Sequence, residues 1–183
     1  MTSRRRRHVM ACHPATPCVV LDRVDVELVL QGDRLHAVYT LTGRVAQLRV
    51  PDFKPPARRD DLWRHLCCEL FVRAAGQPGY CEFNFAPSGE WAAYAFTAYR
   101  DGMVPLPMAQ PPVINTEVSA SSLQLKVDFP LIAAGAQSAS GKRIFGCSVV
   151  VEDSTGALTY WALRHPSGRP DFHHDDGFTG EMD

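Results

Sequence analysis

Three side chains with hydrogen-bonding groups fall on two consecutive predicted strands. Glu69 lies in the first strand, and Glu82 and Asn84 lie in the second, next to the aromatic residue Tyr80. Because side chains on a strand alternate between its two faces, Glu82 and Asn84 share a face with Tyr80. If the two strands pair in antiparallel order, Glu69 joins them on one surface. A ring beside carboxylate and amide groups suits a sugar or another small polar ligand, so these residues are candidate ligand contacts.

Paired carboxylates also permit a second chemistry. The two catalytic carboxyl groups of glycoside hydrolases lie about 5–9.5 Å apart, and Glu69 and Glu82 could supply them. Exposed glutamates on a strand are more often solvated or paired with an arginine, and Arg64, Arg73 and Arg100 are candidate partners. The sequence does not decide whether the protein is an enzyme. A non-catalytic role is favoured, no catalytic residue is assigned, and a hydrolase stays the alternative.

A tract near the end of the sequence is rich in histidine and aspartate. His173, His174 and Asp176 are candidate ligands for a divalent metal ion, since imidazole and carboxylate groups bind such ions. Adjacent histidines on an extended segment point to opposite sides, so both cannot face one ion there. The competing interpretation is a surface loop whose histidines bond to the backbone. The sequence requires no cofactor, and a metal-dependent enzyme belongs with the hydrolase alternative.

Trp63 lies between a charged loop and a predicted strand, flanked by Arg64 and His65. A tryptophan is more often a core residue than a binding residue. The polar flanks and the position at a loop edge nevertheless favour Trp63 as a residue that stacks on a ligand.

These residues are positioned by a chain in which a period of two dominates. Alternating apolar and polar residues predict many short strands, separated by turns rich in glycine, proline, serine or aspartate. The predicted strands span residues 24–30, 35–41, 48–50, 66–73, 80–86, 91–96, 113–120, 123–129, 143–152 and 158–163, with one helical turn at 131–136. This spacing, without a long amphipathic helix, is typical of an all-β fold. We expect an antiparallel β-sandwich with an immunoglobulin-like arrangement of two sheets, forming a single domain over residues 17–183.

Charge and composition exclude several partners. The formal net charge is −1, so nucleic acid is not an expected partner. The basic run Arg4–Arg7 is predicted to belong to a disordered tail over residues 1–16. No apolar stretch has the length of a secretory signal or a membrane span, so we expect a cytoplasmic protein with no membrane partner. In that compartment the six cysteines are expected to be free thiols.

The tract from Asp60 to Trp91, which contains the Cys-Glu-Leu-Phe and Glu-Phe-Asn-Phe strands and a Pro-Ser-Gly turn, resembles the DOMON-like proteins of bacteria. The closing tract from Pro170 to His174 is similar to the C-terminal end of those proteins. More distantly, the sequence is similar to carbohydrate-binding modules of family nine. The resemblance covers most of the chain.

The resemblance implies a DOMON-like β-sandwich whose ligand is a sugar or haem. The sugar modules clamp a sugar between two tryptophans, which maps onto Trp63 and Trp161, with Glu69, Glu82 and Asn84 as hydrogen-bonding neighbours. Haem-binding relatives use axial methionine and histidine. Met103 and Met108 are present, but neither matches a ligand position, so haem stays a further alternative. The leading hypothesis is therefore a non-catalytic module for a small polar ligand, with carbohydrate as the favoured class.

Overall fold

Alternating apolar and polar residues build two antiparallel β-sheets that pack face to face. The computed structural model describes residues 6–131 and 142–182. Within those ranges the strands are β1 (Arg6–Val9), β2 (Ala11–Cys12), β3 (Leu21–Gln31), β4 (Arg34–Gly43), β5 (Cys67–Ala74), β6 (Tyr80–Phe85), β7 (Trp91–Phe96), β8 (Val104–Pro105), β9 (Val113–Val118), β10 (Ser122–Pro130), β11 (Arg143–Glu152), β12 (Leu158–Ala162) and β13 (Gly180–Met182). Three short 3-10 helices accompany them: η1 (Val45–Gln47), η2 (Leu62–Arg64) and η3 (Asp175–Gly177).

The strands divide into a five-stranded and an eight-stranded sheet. The order in the first is β1-β3-β4-β10-β9, and in the second it is β2-β12-β11-β5-β6-β7-β8, with β13 paired to β11. The registered strand pairs are antiparallel. The predicted antiparallel β-sandwich is confirmed.

The main core lies between the two sheets. Residues at alternate positions of β3, β4 and β10 meet those of β5, β6 and β11, which is the burial pattern that two-sheet packing requires. The Tyr39 hydroxyl reaches across this core from β4 and donates a hydrogen bond of 2.8 Å to the backbone carbonyl of Glu69 on β5. The two sheets are therefore joined by a polar contact as well as by apolar packing.

The eight-stranded sheet is buried on its outer face as well. A second apolar cluster covers that face, made of Leu62, Cys67, Phe71, Tyr80, Ala86, Ala92, Tyr94, Phe96 and Phe178. The segment around η3 and the 3-10 helix η2 supply its cover. Every residue of β6 is buried, so the polar side chains of its outer face are enclosed by protein instead of facing water.

The N-terminal residues correct one expectation. Residues 6–9 are not a disordered tail, because β1 pairs with β3 from Asp25 to Leu28. Asp25 is buried, and its carboxylate accepts hydrogen bonds of 2.6 and 2.9 Å from the Arg7 guanidinium and 2.8 Å from Arg23. A buried carboxylate needs such partners, which explains why the basic segment docks. The start of the Arg4–Arg7 run lies outside the described residues.

One smaller expectation also differs from the structure, and another is not tested by it. Leu48 makes only an isolated bridge to Asp153 and not a third strand, since η1 and Pro51 enclose it. The helical turn expected at residues 131–136 falls almost wholly outside the described residues. In the described ranges, no helix combines the length and apolarity needed to cross a membrane.

Candidate functional site

The outer face of the eight-stranded sheet brings three of the predicted site residues together. Glu69 on β5 lies directly opposite Asn84 on β6, and Phe71 lies opposite Glu82. Glu69 and Glu82 are therefore diagonal neighbours on one surface, within reach of each other's side chains. The structure thus places Glu69, Glu82 and Asn84 on the same face of the sheet, as the alternation of side chains along the two strands predicted.

These side chains form a buried hydrogen-bonded cluster. The Asn84 amide nitrogen donates to Glu82 Oε1 at 2.8 Å, and the Ser148 hydroxyl donates to Glu69 Oε2 at 3.0 Å. The exposed fractions of Glu69, Glu82 and Asn84 are only 2%, 6% and 1%. The amide oxygen of Asn84 is buried and has no hydrogen-bond partner. Buried polar atoms are nearly always paired, so this unpaired acceptor is a candidate contact for a ligand donor.

Enclosure raises the pKa of both carboxyl groups. Desolvation is the main cause for Glu69, and repulsion from Glu82 adds to it, while the Ser148 hydrogen bond and Arg100 oppose the shift. Desolvation also raises the pKa of Glu82, against the stabilising effects of Asn84 and Arg100. Two neighbouring carboxylates in a low-dielectric site cannot both ionise at their ordinary pKa. The pair therefore titrates as a unit.

A histidine from the C-terminal segment lies over this pair. His173 Nε2 is 3.7 Å from Glu82 Oε2, which is beyond hydrogen-bond distance. The His173 ring packs edge-on against Phe71 and Phe96, at centroid distances of 5.1 and 5.2 Å. Burial, together with the nearby Arg100, lowers the pKa of His173 to about 4. The imidazole is therefore neutral at physiological pH.

The position of this segment depends on two ion pairs. Asp171 binds the Arg100 guanidinium at 2.8 Å, and Asp175 binds Arg73 at 2.6 Å. The Arg73 guanidinium also stacks on Phe178, 4.4 Å from the ring centre. The cover is thus fixed at both ends by charges on the loop after β7 and on β5.

Small side chains continue the row that holds the polar cluster. The cross-strand register places Ala162, Ser148, Glu69, Asn84 and Ala92 side by side on five adjacent strands. Since the flanking residues are alanines and a serine, the row forms a shallow floor between taller aromatic side chains. The side chains of this row are buried, so the covering segment closes the floor in this conformation.

The predicted tryptophan clamp does not form. Trp161 pairs with Val149 and Cys12 and packs in the core between the sheets, with 6% of its surface exposed. It therefore faces away from Glu69 and Glu82, and its assignment as a ligand contact is wrong. Trp63 lies in η2, which packs on β5 and β6, and it is 48% exposed with Arg64 over its ring. Trp63 alone keeps a position at the edge of the site.

The predicted metal site does not assemble. His173 points to Tyr80 and Glu82, whereas His174 accepts from the backbone N–H of Asp176 as the cap of η3. Within residues 6–131 and 142–182, no group of three or more histidine, cysteine, aspartate or glutamate side chains could hold a metal ion. The adjacent histidines diverge because the segment before η3 is extended.

Haem binding stays a prediction. Met103 is exposed, and Met108 packs against the core between the sheets. That core lies on the other side of the eight-stranded sheet from His173.

Other residues of the site carry a weaker signal in the sequence. Ser148 shares its face with Val150 because both lie at even positions of β11, so strand parity could have given its face, whereas its place opposite Glu69 depends on the pairing of β11 with β5. The sequence indicates Tyr80 only as an aromatic neighbour and Arg100 only as a candidate partner of glutamate. Their role in holding His173 depends on contacts between distant segments, which carry no local signal.

A separate cavity of about 630 Å³ lies elsewhere, between the loop at residues 50–53 and the edge strand β9. Its lining includes Phe53, Thr116, Val118 and Lys126. None of the predicted site residues lines it. Its walls are largely exposed surface, whereas the Glu69–Asn84 cluster is buried, so the chemistry favours the cluster as the site.

Comparison with known proteins supports the fold at the level of architecture. No protein-family model matches the sequence, and the search of curated proteins found no relative. A proposed carbohydrate-binding protein from Bacteroides uniformis has a similar structure, with a TM-score of 0.70 and 15% sequence identity over 98% of this chain and 85% of that one. A family nine carbohydrate-binding module from Caldicellulosiruptor kristjanssonii, in complex with cellotriose, has a TM-score of 0.55 and 10% identity over 97% of this chain and 80% of that one. The chain therefore shares its two-sheet fold with these two proteins.

Proposed function

We propose that this protein is a non-catalytic module that binds a small polyhydroxylated ligand, a mono- or short oligosaccharide, on the outer face of its eight-stranded sheet. One observation carries the proposal: a buried surface of carboxylate and amide acceptors in which the Asn84 amide oxygen has no partner. Sugar hydroxyl groups donate hydrogen bonds to acceptors of this kind. The aromatic residues around the cluster supply flat apolar walls for the faces of a sugar ring.

The fold similarity supports the choice of ligand. One similar structure is a family nine module that holds cellotriose, and another is a proposed carbohydrate-binding protein. The sequence resemblance to DOMON-like proteins agrees with the same ligand class. Because fold alone does not fix function, the acceptor cluster carries the proposal, and the similarity only ranks candidate ligands.

The arrangement of the carboxylates favours binding over hydrolysis. A glycoside hydrolase places its two carboxyl groups on either side of the scissile bond, with room for water in the inverting enzymes. Glu69 and Glu82 project from adjacent strands of one sheet and would contact the same side of a ligand. Each is also hydrogen-bonded by a neighbouring side chain. The geometry of the two carboxyl groups therefore suits binding of a ligand and not its hydrolysis.

Isothermal titration calorimetry with mono- and oligosaccharides tests the proposal. We expect binding by the unmodified protein and at least a tenfold loss of affinity in Asn84→Ala, with a smaller loss in Trp63→Ala. Trp161→Phe is the matched aromatic control, because it lies on the opposite face of the sheet. Absence of heat with every sugar, or an equal loss in Trp161→Phe, would contradict the assignment. Release of sugar products on prolonged incubation would favour the hydrolase instead.

A further inference from the structure

We infer that the ligand of this site carries a primary ammonium group, as an amino sugar without an acetyl group does. The inference rests on the proposed function and specifies its ligand. It follows from the composition of the site: three acceptor side chains are neighbours there, and no lysine or arginine among the described residues forms a salt bridge with them.

The acceptors come from three neighbouring side chains. Glu69 and Asn84 face each other across β5 and β6, and Glu82 lies diagonally beside them. Ser148 and the Asn84 amide nitrogen engage one oxygen of each carboxylate. A carboxylate has about four lone-pair positions on two oxygens, so each retains capacity to accept. Together with the unpaired Asn84 Oδ1, three groups can accept from one ligand atom.

Cations on the surrounding elements are engaged elsewhere. In the part of the chain that the structure describes, neither carboxylate forms a salt bridge with lysine or arginine. Arg100, the arginine whose charge acts on both, binds Asp171 directly. Arg73 binds Asp175. His173, which faces Glu82 from the covering segment, is neutral because burial and Arg100 lower its pKa.

The remaining titratable neighbours do not supply a positive charge. Cys67 on β5, Tyr80 on β6 and Tyr94 on β7 all share this face, and burial raises the pKa of each. The outer face thus presents two acids without a direct counter-ion, and because the pKa of each is raised, the free protein keeps a shared proton that neutralises part of their charge. Buried carboxylates are otherwise paired with a cation, so a ligand ammonium group would take the place of that proton.

A primary ammonium fits this set better than other cations. It has three N–H donors arranged around one point, which matches acceptors from Glu69, Glu82 and Asn84. A guanidinium would present a flat fork of five donors and is suited to one carboxylate at a time. The rings of Phe71 and Tyr80 lie in the apolar cluster on the same face of the sheet.

The polar row ends in small side chains, which are themselves buried in the closed protein. Ala92 and Ala162 lie at the two ends of the polar row, so the floor is low on both sides of the carboxylates. A pyranose ring attached to the ammonium group would extend along this floor. Because the cluster is enclosed, the segment around His173 must move aside for entry.

Calorimetric titration with D-glucose, D-glucosamine and N-acetyl-D-glucosamine tests the inference. We expect glucosamine to bind at least tenfold more tightly than glucose at a pH where its amine is protonated, and the acetylated sugar to gain nothing. Glu69→Gln and Glu82→Gln keep the shape of each side chain and should abolish the preference for glucosamine. Glu117→Gln, on the five-stranded sheet, is the control and should leave the preference unchanged.

The outcomes separate this inference from the proposed function. Equal affinity for glucose and glucosamine would overturn the ammonium assignment and leave sugar binding intact. A glucosamine preference that survives in both Gln variants would also overturn it. Failure of these three sugars and of the oligosaccharides in the first titration to bind would overturn the proposed function itself. Circular dichroism and thermal melts of each variant establish that any loss occurs in folded protein.

Discussion

The hydroxyl of Tyr80 lies 2.7 Å from Nδ1 of His173 and accepts a hydrogen bond of 3.2 Å from the backbone N–H of Arg100. Since the phenol oxygen already accepts from Arg100, we expect the hydroxyl hydrogen to be directed to the imidazole. Nδ1 is then the acceptor, and Nε2 carries the hydrogen that points towards Glu82. A chain of contacts thus runs from the loop after β7, through Tyr80 and His173, to the carboxylate pair.

Replacing Tyr80 with phenylalanine should release this histidine. The ring stacking with Phe96 would remain, but His173 would lose the donor that fixes its tautomer. We expect a loss of about 1 kcal/mol of stability, as for one buried hydrogen bond. Nitrogen-15 NMR of the imidazole should show a mixture of tautomers in the variant and a single one in the unmodified protein. An unchanged tautomer would contradict the proposed donor direction.

Replacing Glu69 with glutamine should stabilise the protein, and more strongly as the pH rises. The pKa of Glu69 is raised in the folded state, so folding keeps a proton that the unfolded chain releases above its ordinary pKa near 4.5. Stability is therefore lost as the pH increases from that value through the raised pKa. Glutamine carries no titrating proton and avoids this loss.

Thermal melts from pH 5 to pH 9 measure the effect. The difference in Tm between Glu69→Gln and the unmodified protein should grow with pH, at roughly 2–4 °C for each kcal/mol. Glu117→Gln is the control, because Glu117 is exposed and paired with Lys126. A difference in Tm that stays constant across this range would show that the carboxyl group ionises normally.

Replacing Asp171 with asparagine should loosen the cover of the site. The substitution keeps the side-chain shape but weakens the ion pair with Arg100 and the contact with the Tyr99 hydroxyl. We expect faster amide hydrogen exchange in residues 171–178 and a higher association rate for a bound sugar. Hydrogen exchange followed by mass spectrometry, with stopped-flow fluorescence for the rate, tests this. Unchanged exchange in that segment would contradict the role of the ion pair.

Replacing Gly146 with alanine should displace the same segment by another route. A Cβ at position 146 would lie 2.7 Å from the backbone oxygen of Gly177, closer than side-chain carbons approach a carbonyl. Overpacking of this kind costs about 1–3 kcal/mol. Chemical denaturation should show that loss, and hydrogen exchange should increase around η3. Gly177→Ala is the control for the loss of a glycine, since a Cβ there would meet the Phe172 carbonyl oxygen at 3.6 Å, an ordinary contact.

The strands could be predicted because the alternation of apolar and polar residues is a property of the local sequence. Trp91–Phe96 and Arg143–Glu152 have the predicted bounds, and the hairpin around Gly32 follows the predicted turn. Parity on two adjacent strands also sufficed to place Glu69, Glu82 and Asn84 on one surface. These inferences need only the geometry of a single strand and its nearest neighbour.

The rest of the site depends on contacts between distant parts of the chain. Parity on β12 separates Trp161 from Tyr160 but does not tell which of the two faces the core. The pairing of β12 with Val149 on β11 decides that question. The burial of Glu82 likewise depends on His173, which is distant in the sequence. The residues around Glu82 therefore do not indicate that this side chain is buried.

The Tyr39 hydroxyl donates a hydrogen bond to the carbonyl of Glu69 from the inner face of the sheet, opposite the face of the proposed ligand contacts. The opposite sheet thereby helps to fix the backbone at residue 69, independently of the side chains that are proposed to recognise a ligand. Substitutions on the outer face can then alter specificity while the inner face preserves the scaffold. Over evolutionary time such a division allows one sandwich to acquire new ligands without losing its fold. A deep mutational scan of β5 and β6 should show that substitutions are tolerated at alternate residues, those on the outer face, and not at the residues between them.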